Sequence, residues 1–249
     1  MRAFGPLVLT DTLRADELTG VRAYFNARYL LAAASAAPIP ATKTLGLLAP
    51  QFVERAAAEM LWQPEPPDIV RYVRRVQEEP DVLGLHLLRT ALENGGLLRL
   101  YRSAFHATRR AHDLLGEGHE GEFFLALFLA YFVQTELARF DRYSADPVLQ
   151  AAVPALLWRL RLEAGDLTIG DVVDALTVDP VRWQEGSPEA ARERLGVALR
   201  GRILYPLEEL GLVAVTHAAD GSPSPGDLES GIAGSPLLRR FAIPVATLN

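Results

Sequence analysis

His106, His112, Asp113, His119, Glu120 and Glu122 are the densest set of metal-ligating side chains in the sequence. A set of this kind supports zinc-assisted hydrolysis when two histidines one helical turn apart converge with a carboxylate. The spacing does not deliver that arrangement. On a helix His106 and Asp113 share a face, His112 is rotated away from it, and His119 lies beyond Gly116 and Gly118. His119-Glu120-Gly121-Glu122-Phe123 also lacks the second histidine of a zincin helix, so no metal is expected here. Other catalytic signatures are equally absent. No Gly-x-Ser-x-Gly elbow occurs, Lys43-Thr44 follows no glycine-rich loop, and the chain has no cysteine. Gly116, Gly118 and Gly121 match dinucleotide spacing, but the segment before them reads as helix where that motif requires a strand. The expectation is a protein without enzyme activity and without a cofactor.

Anion binding is the second chemistry the residues could perform. Read as one helix over 97–115, the sequence places Arg99, Arg102, His106, Arg109 and Arg110 within about 100° of arc, opposite Leu97, Leu100, Tyr101, Ala104, Ala111 and Leu115. Arg71, Arg74 and Arg75 form a second stripe on a helix capped by Asp68, and His86 with Arg89 lies on the helix between. From Arg71 to His112 eight arginines face four carboxylates, in a chain whose net charge is −6. Such segregation is an electrostatic footprint of nucleic-acid binding. The competing reading is an amphipathic helix whose solvated face happens to be rich in arginine.

The elements that must position these residues follow from spacing and breakers. Leu18, Val21, Phe25, Tyr29 and Ala32 predict a helix over 16–36 ended by Pro38 and Pro40. Pro50 opens the next. A helix over 82–93 ends at Asn94-Gly95-Gly96, and another runs from 121 to 143. The longest apolar run, Phe123 to Val133, is well short of the roughly 20 residues of a membrane span. Residues 148–163 read as helix, Thr168 caps a short helix over 169–176, and Ser187-Pro188-Glu189 starts a long one that Pro206 should bend. Only 212–216 and 238–245 read as strands, and no repeat of fixed period is visible.

Val172-Val173-Asp174-Ala175-Leu176, followed by a helix ending Leu207-Glu208-Glu209-Leu210-Gly211-Leu212-Val213, resembles the helix-turn-helix and first wing strand of winged-helix proteins. The resemblance covers about residues 148–246. It implies that Gly211 ends a recognition helix and that the next apolar pair begins a two-stranded hairpin. Two features depart from the family. The segment 177–186 is longer than a tight turn, and the wing loop carries Asp220, Asp227 and Glu229. Around the long helix Arg192 and Arg202 flank the apolar stripe, while Arg194 and Arg200 fall about 120° apart on the remaining surface.

With 249 residues and 49% hydrophobic content, the chain can bury one or two cores. The fold expected is mainly α: a helical domain over 1–145 and a winged-helix-like domain over 146–249. Met1 to Thr10 has too short an apolar stretch for a signal peptide, so the expected location is cytoplasmic. The function expected is that of a DNA-associated or regulatory protein. The candidate contacts to DNA or another anionic partner are Arg71, Arg74, Arg75, Arg99, Arg102, His106, Arg109, Arg110, Arg194 and Arg200. The alternative is a helical interaction or assembly module that binds a protein partner or a second copy of itself, with no membrane involved.

Overall fold

Local signals account for most helix ends. The computed structural model describes residues 1–62, 78–140, 148–162, 167–176, 187–216 and 228–247. Two compact units divide the chain: Asp11–Thr135, and Met1–Thr10 together with Glu136–Asn249. The sequence border at 145 lies in neither break, and the first ten residues belong with the C-terminal unit because they pair with its last strand.

In the Asp11–Thr135 unit, the first helical stretch is split. A single turn at Ala15–Leu18 is followed by Gly20 with φ of 82°, and helix α1 runs Arg22–Ala36. Its buried face is Ala23, Asn26, Ala27, Leu30, Leu31 and Ala34, rotated from the expected one, and Phe25 is exposed. Asn26 is buried because its amide satisfies both polar groups of Leu61, donating to the carbonyl at 2.6 Å and accepting from the N–H at 2.8 Å. Strand β3 is Ile39–Pro40, while β1, Arg2–Phe4, and β2, Leu7–Leu9, precede this unit and belong to the other. Helix α2 spans Pro50–Glu59 with proline in its first turn, and α3 spans Leu83–Asn94.

The segment after α3 corrects the sequence reading. It is no helix over 97–115. Leu98–Tyr101 and Ala104–Ala107 are antiparallel strands β4 and β5, followed by the short helix α4, Arg109–Leu114. β5 also pairs with β3, Ile39 facing Phe105, which gives the sheet order β3-β5-β4. Helix α5, Glu120–Leu129, runs into a wider π-type turn at Ala130–Gln134 and stops at Thr135, earlier than the expected 143. Phe123, Phe124, Leu127, Phe128 and Ala130 are fully buried along it. A Cβ on Gly121 would lie 2.2 Å from the Asp11 carbonyl oxygen, so only glycine allows that approach. No helix among the described residues is long and apolar enough to cross a membrane.

The other unit holds α6 Val148–Ala151, α7 Val153–Leu162, β6 Leu167–Thr168 and α8 Ile169–Leu176. Thr168 caps α8 as its sequence suggests: its hydroxyl accepts from the Asp171 N–H at 3.0 Å, and the Asp171 carboxylate accepts from the Thr168 N–H at 2.8 Å. Helix α9, Pro188–Leu199, starts at Ser187, whose hydroxyl accepts from the Ala190 N–H. Pro206 leaves its mark upstream. The helix widens to a π turn at Arg200–Leu204, with the Tyr205 N–H reaching the Arg200 carbonyl, before α10 continues over Tyr205–Glu209. Strand β7 is Val213–Thr216, as expected. Its partner β8 is Gly231–Gly234, in the Gly/Ser/Pro-rich stretch read as loop. The expected strand 238–245 is instead helix α11, Pro236–Phe241, then β9, Ala242–Pro244, which pairs with β2 in a sheet of order β1-β2-β9. The expected two-stranded hairpin is a three-stranded sheet, β6-β8-β7.

Among the described residues the two units repeat one order of elements: helix, strand, helix, helix, strand, strand, with the first strand paired to the last. Even the helix ends agree. Leu97 N–H bonds the Leu92 carbonyl and Gly96 N–H that of Glu93, while Leu212 N–H bonds Leu207 and Gly211 N–H bonds Glu208, each at 2.9 Å. Gly96 and Gly211 both have φ of 67°, the left-handed conformation that turns a helix end into the following strand.

Candidate anion-binding site

Alternation, not helical periodicity, sorts the residues of β4 and β5. Leu98, Leu100, Phe105 and Ala107 share one face of the hairpin, while Arg99, Tyr101, Ala104 and His106 share the other, with Arg99 directly opposite His106. The first face is anchored by Leu98 and Phe105, both fully buried. On the second face Arg99 and Tyr101 are exposed. The Arg99 guanidinium lies 5.3 Å from the centre of the Tyr101 ring and that of Arg102 lies 5.1 Å from it, and the His106 ring meets Tyr101 edge-on at 6.1 Å. Cation–π attraction thus holds two guanidiniums against one tyrosine.

Arg102 and Ser103 form the two-residue turn, with φ of 49° and 58°. Such a turn suits Asn-Gly, and two residues with side chains bear strain there. A bond from Ala41 N–H to the Ser103 carbonyl at 2.9 Å secures the tip.

The expected stripe is therefore divided among several places. Arg99, Arg102 and His106 come together on the hairpin. Arg109 and Arg110 begin α4 behind the Thr108 cap, and Arg110 donates to the Gly95 carbonyl at 2.8 Å. Arg71, Arg74 and Arg75 lie outside the described residues. In the other unit Arg194 is half-buried on α9, and Arg200 is ion-paired with Glu208. Arg192 forms a bidentate pair with Asp174, both contacts 2.7 Å, which joins α8 to α9. The Arg192 hydrogen bond holds the Asp174 carboxyl below the usual carboxylate range, and Asp174 in turn raises Arg192.

Sequence reasoning missed a second charged cluster. Glu79 is fully buried and accepts from the Leu48 N–H at 2.6 Å and from Arg89 Nε at 2.9 Å, with His86 Nδ1 at 2.7 Å. Arg89 also pairs with Glu93 and lies over the Phe105 ring at 5.5 Å. Burial pushes the Glu79 carboxyl up, but the His86 hydrogen bond, the Arg89 charge and the Leu48 N–H outweigh it and hold the group below its ordinary value. The cluster joins the loop before α2, the turn before α3 and the hairpin core. Its only sequence signal was carboxylates four and ten residues from Arg89.

The remaining histidine cluster stays open: His119 Nδ1 lies 3.3 Å from Glu122, and among the described residues no three His, Asp or Glu side chains converge on a common point.

Residues 22–121, within the Asp11–Thr135 unit, match the Y4jL N-terminal domain family. No curated protein and no solved structure matches the chain.

Proposed function

We propose that this chain is a DNA-associated regulatory protein that acts by binding and not by catalysis. The observation supporting this reading is the order of helices and strands among the described residues of 153–234, with β6 paired to β8 and β8 to β7. That order resembles winged-helix proteins, and on this reading the helix before the hairpin, here α9 to α10, faces the duplex. The recurrence of that order among the described residues of 22–107 supports the same reading for the first unit. Fluorescence anisotropy with a mixed-sequence duplex tests it, and affinity should fall steeply with salt because phosphate contacts release counterions. Absence of binding at tens of micromolar protein in low salt would discard this reading.

A second reading is favoured by a separate observation. Arg192 and Arg200, two of the cations on the long helix, are already held by Asp174 and Glu208. A helix with these two cations neutralised internally suits a protein partner or a second copy better than phosphate. Light scattering across a concentration series separates this assembly role from the DNA role.

A further inference from the structure

The hairpin face of the Asp11–Thr135 unit carries charge that the structure does not neutralise. Among the described residues neither Arg99 nor Arg102 has a carboxylate at ion-pair distance; both guanidiniums lie over the Tyr101 ring. The segments that build the sheet, 31–48 and 94–112, contain Lys43, Arg99, Arg102, Arg109 and Arg110 and no aspartate or glutamate, in a chain with more acidic than basic residues. Arginine is the residue best suited to phosphate, because its planar fork donates two parallel hydrogen bonds to one anionic group. Both forks are already oriented by the tyrosine, so less side-chain freedom is lost when they engage a ligand.

Backbone strain points the same way. An Asn-Gly pair would relieve the left-handed turn, yet the positions hold Arg102 and Ser103. Strained backbone of this kind clusters at ligand-binding sites, and here it presents a cation to solvent.

We infer that Arg99 and Arg102, positioned by Tyr101 with His106 alongside, bind the phosphodiester backbone of a nucleic acid. The inference draws on this hairpin alone and not on the order of elements in the other unit. Its ligand is a chain of phosphates because two guanidiniums are gathered at a single ring, 5.3 and 5.1 Å from its centre, and each planar fork engages one anionic group.

The test uses the full chain and fluorescein-labelled oligonucleotides of about 12 nucleotides, single-stranded and as duplex, read by anisotropy. Replacing both arginines, Arg99→Ala with Arg102→Ala, should weaken binding of one or both probes about a hundredfold, about tenfold per lost charge-assisted contact. The salt dependence on single strands should also become shallower by about 1.4 in log–log slope. Arg14→Ala, which removes one positive charge elsewhere in the unit, should leave affinity unchanged, whereas Arg99→Ala alone should weaken it about tenfold. The pair Arg102→Asn with Ser103→Gly should raise the urea midpoint while still weakening binding, which separates loss of contact from loss of fold. Loss of single-strand binding alone, or of duplex binding alone, identifies which form of the backbone the hairpin takes.

Unchanged affinity in the double arginine variant overturns the proposal while leaving duplex binding by the other unit intact. So does an equal effect of Arg14→Ala, which would make attraction a matter of net charge. Binding to vesicles of phosphatidylglycerol with none to either oligonucleotide also overturns it. Duplex binding that fails in the wild type, with single-strand binding lost on the hairpin variant, supports the inference and removes the DNA-duplex reading above.

Discussion

Two units of one chain share an order of helices and strands and differ in what they do with their arginines. In the C-terminal unit the helix before the hairpin has Arg200 on Glu208 and Arg192 on Asp174, so its charge is spent on joining its own elements. In the first unit two carboxylates, Glu79 and Glu93, gather on Arg89 at the buried side of the hairpin, and Arg99 and Arg102 are exposed. Topology follows from apolar alternation and helix ends, which both units satisfy alike. Charge placement is a separate variable, set by where carboxylates fall, and it allows equivalent scaffolds to present different surfaces.

The largest expected effect is at the buried arginine. Arg89→Ala removes the arginine that Glu79 and Glu93 share and should cost about 3–5 kcal/mol in urea unfolding, because the buried Glu79 charge loses its cation and keeps only the Leu48 N–H and His86. Arg200→Ala, at the half-buried pair of the other unit, should cost about 1.5 kcal/mol. Equal losses would erase the distinction between the two arginine networks.

Acid titration sharpens the same contrast. The folded-state value of Glu79 is lowered, so its contribution is fully present above the ordinary carboxylate value and is lost as pH falls through the folded value. Glu79→Gln should therefore be less stable at neutral pH and show a flatter decline on acidification than the wild type. An identical acid limb in both proteins would show that Glu79 is not the titrating group.

Smaller effects lie at the helix caps and the turn. Ser187→Ala and Thr108→Ala each remove a side chain that accepts a first-turn N–H and should cost about 1 kcal/mol. Ser103→Gly should instead stabilise by about 1 kcal/mol, since glycine adopts positive φ without strain. Smallest of all, Arg99→Ala should change stability by no more than about 0.5 kcal/mol. A larger loss at Arg99 would mean that the exposed face of the hairpin is a structural contact after all.

Much of the helical framework was legible in the residues. Pro50, Ser187-Pro188, Thr168 and the two helix-ending glycines act through bonds within a few residues of themselves, so their meaning survives without the rest of the fold. The hairpin at 98–107 was not legible as such. Leu97, Leu100, Tyr101 and Ala104 fit a helical period, and the turn Arg102-Ser103 carries none of the Gly, Asn, Asp or Pro that announces one. The period-two pattern of Leu98-Arg99-Leu100-Tyr101 was present as well. Its choice over the helix depends on Ile39 pairing with Phe105, a contact between residues far apart in sequence.

The same reason explains β8 and β9. Gly231-Ile232-Ala233-Gly234 has little strand propensity, and it becomes a strand because β6 and β7 offer unpaired edges on both sides. A Cβ on Gly234 would approach the Leu160 carbonyl oxygen to 2.7 Å, so the glycine that weakens the strand signal is what lets the sheet meet α7. Residues 242–244 pair with the beginning of the chain, across nearly its whole length.

The sequence by itself determined the mainly helical class, the caps and stops of most helices, and the presence of more arginine than nearby carboxylate between residues 94 and 112. Tertiary structure alone decided which arginines are neutralised. Ion pairs such as Arg89 with Glu79 and Arg192 with Asp174 join residues from different elements, and only the paired strands fix which side of a hairpin meets carboxylates and which meets water.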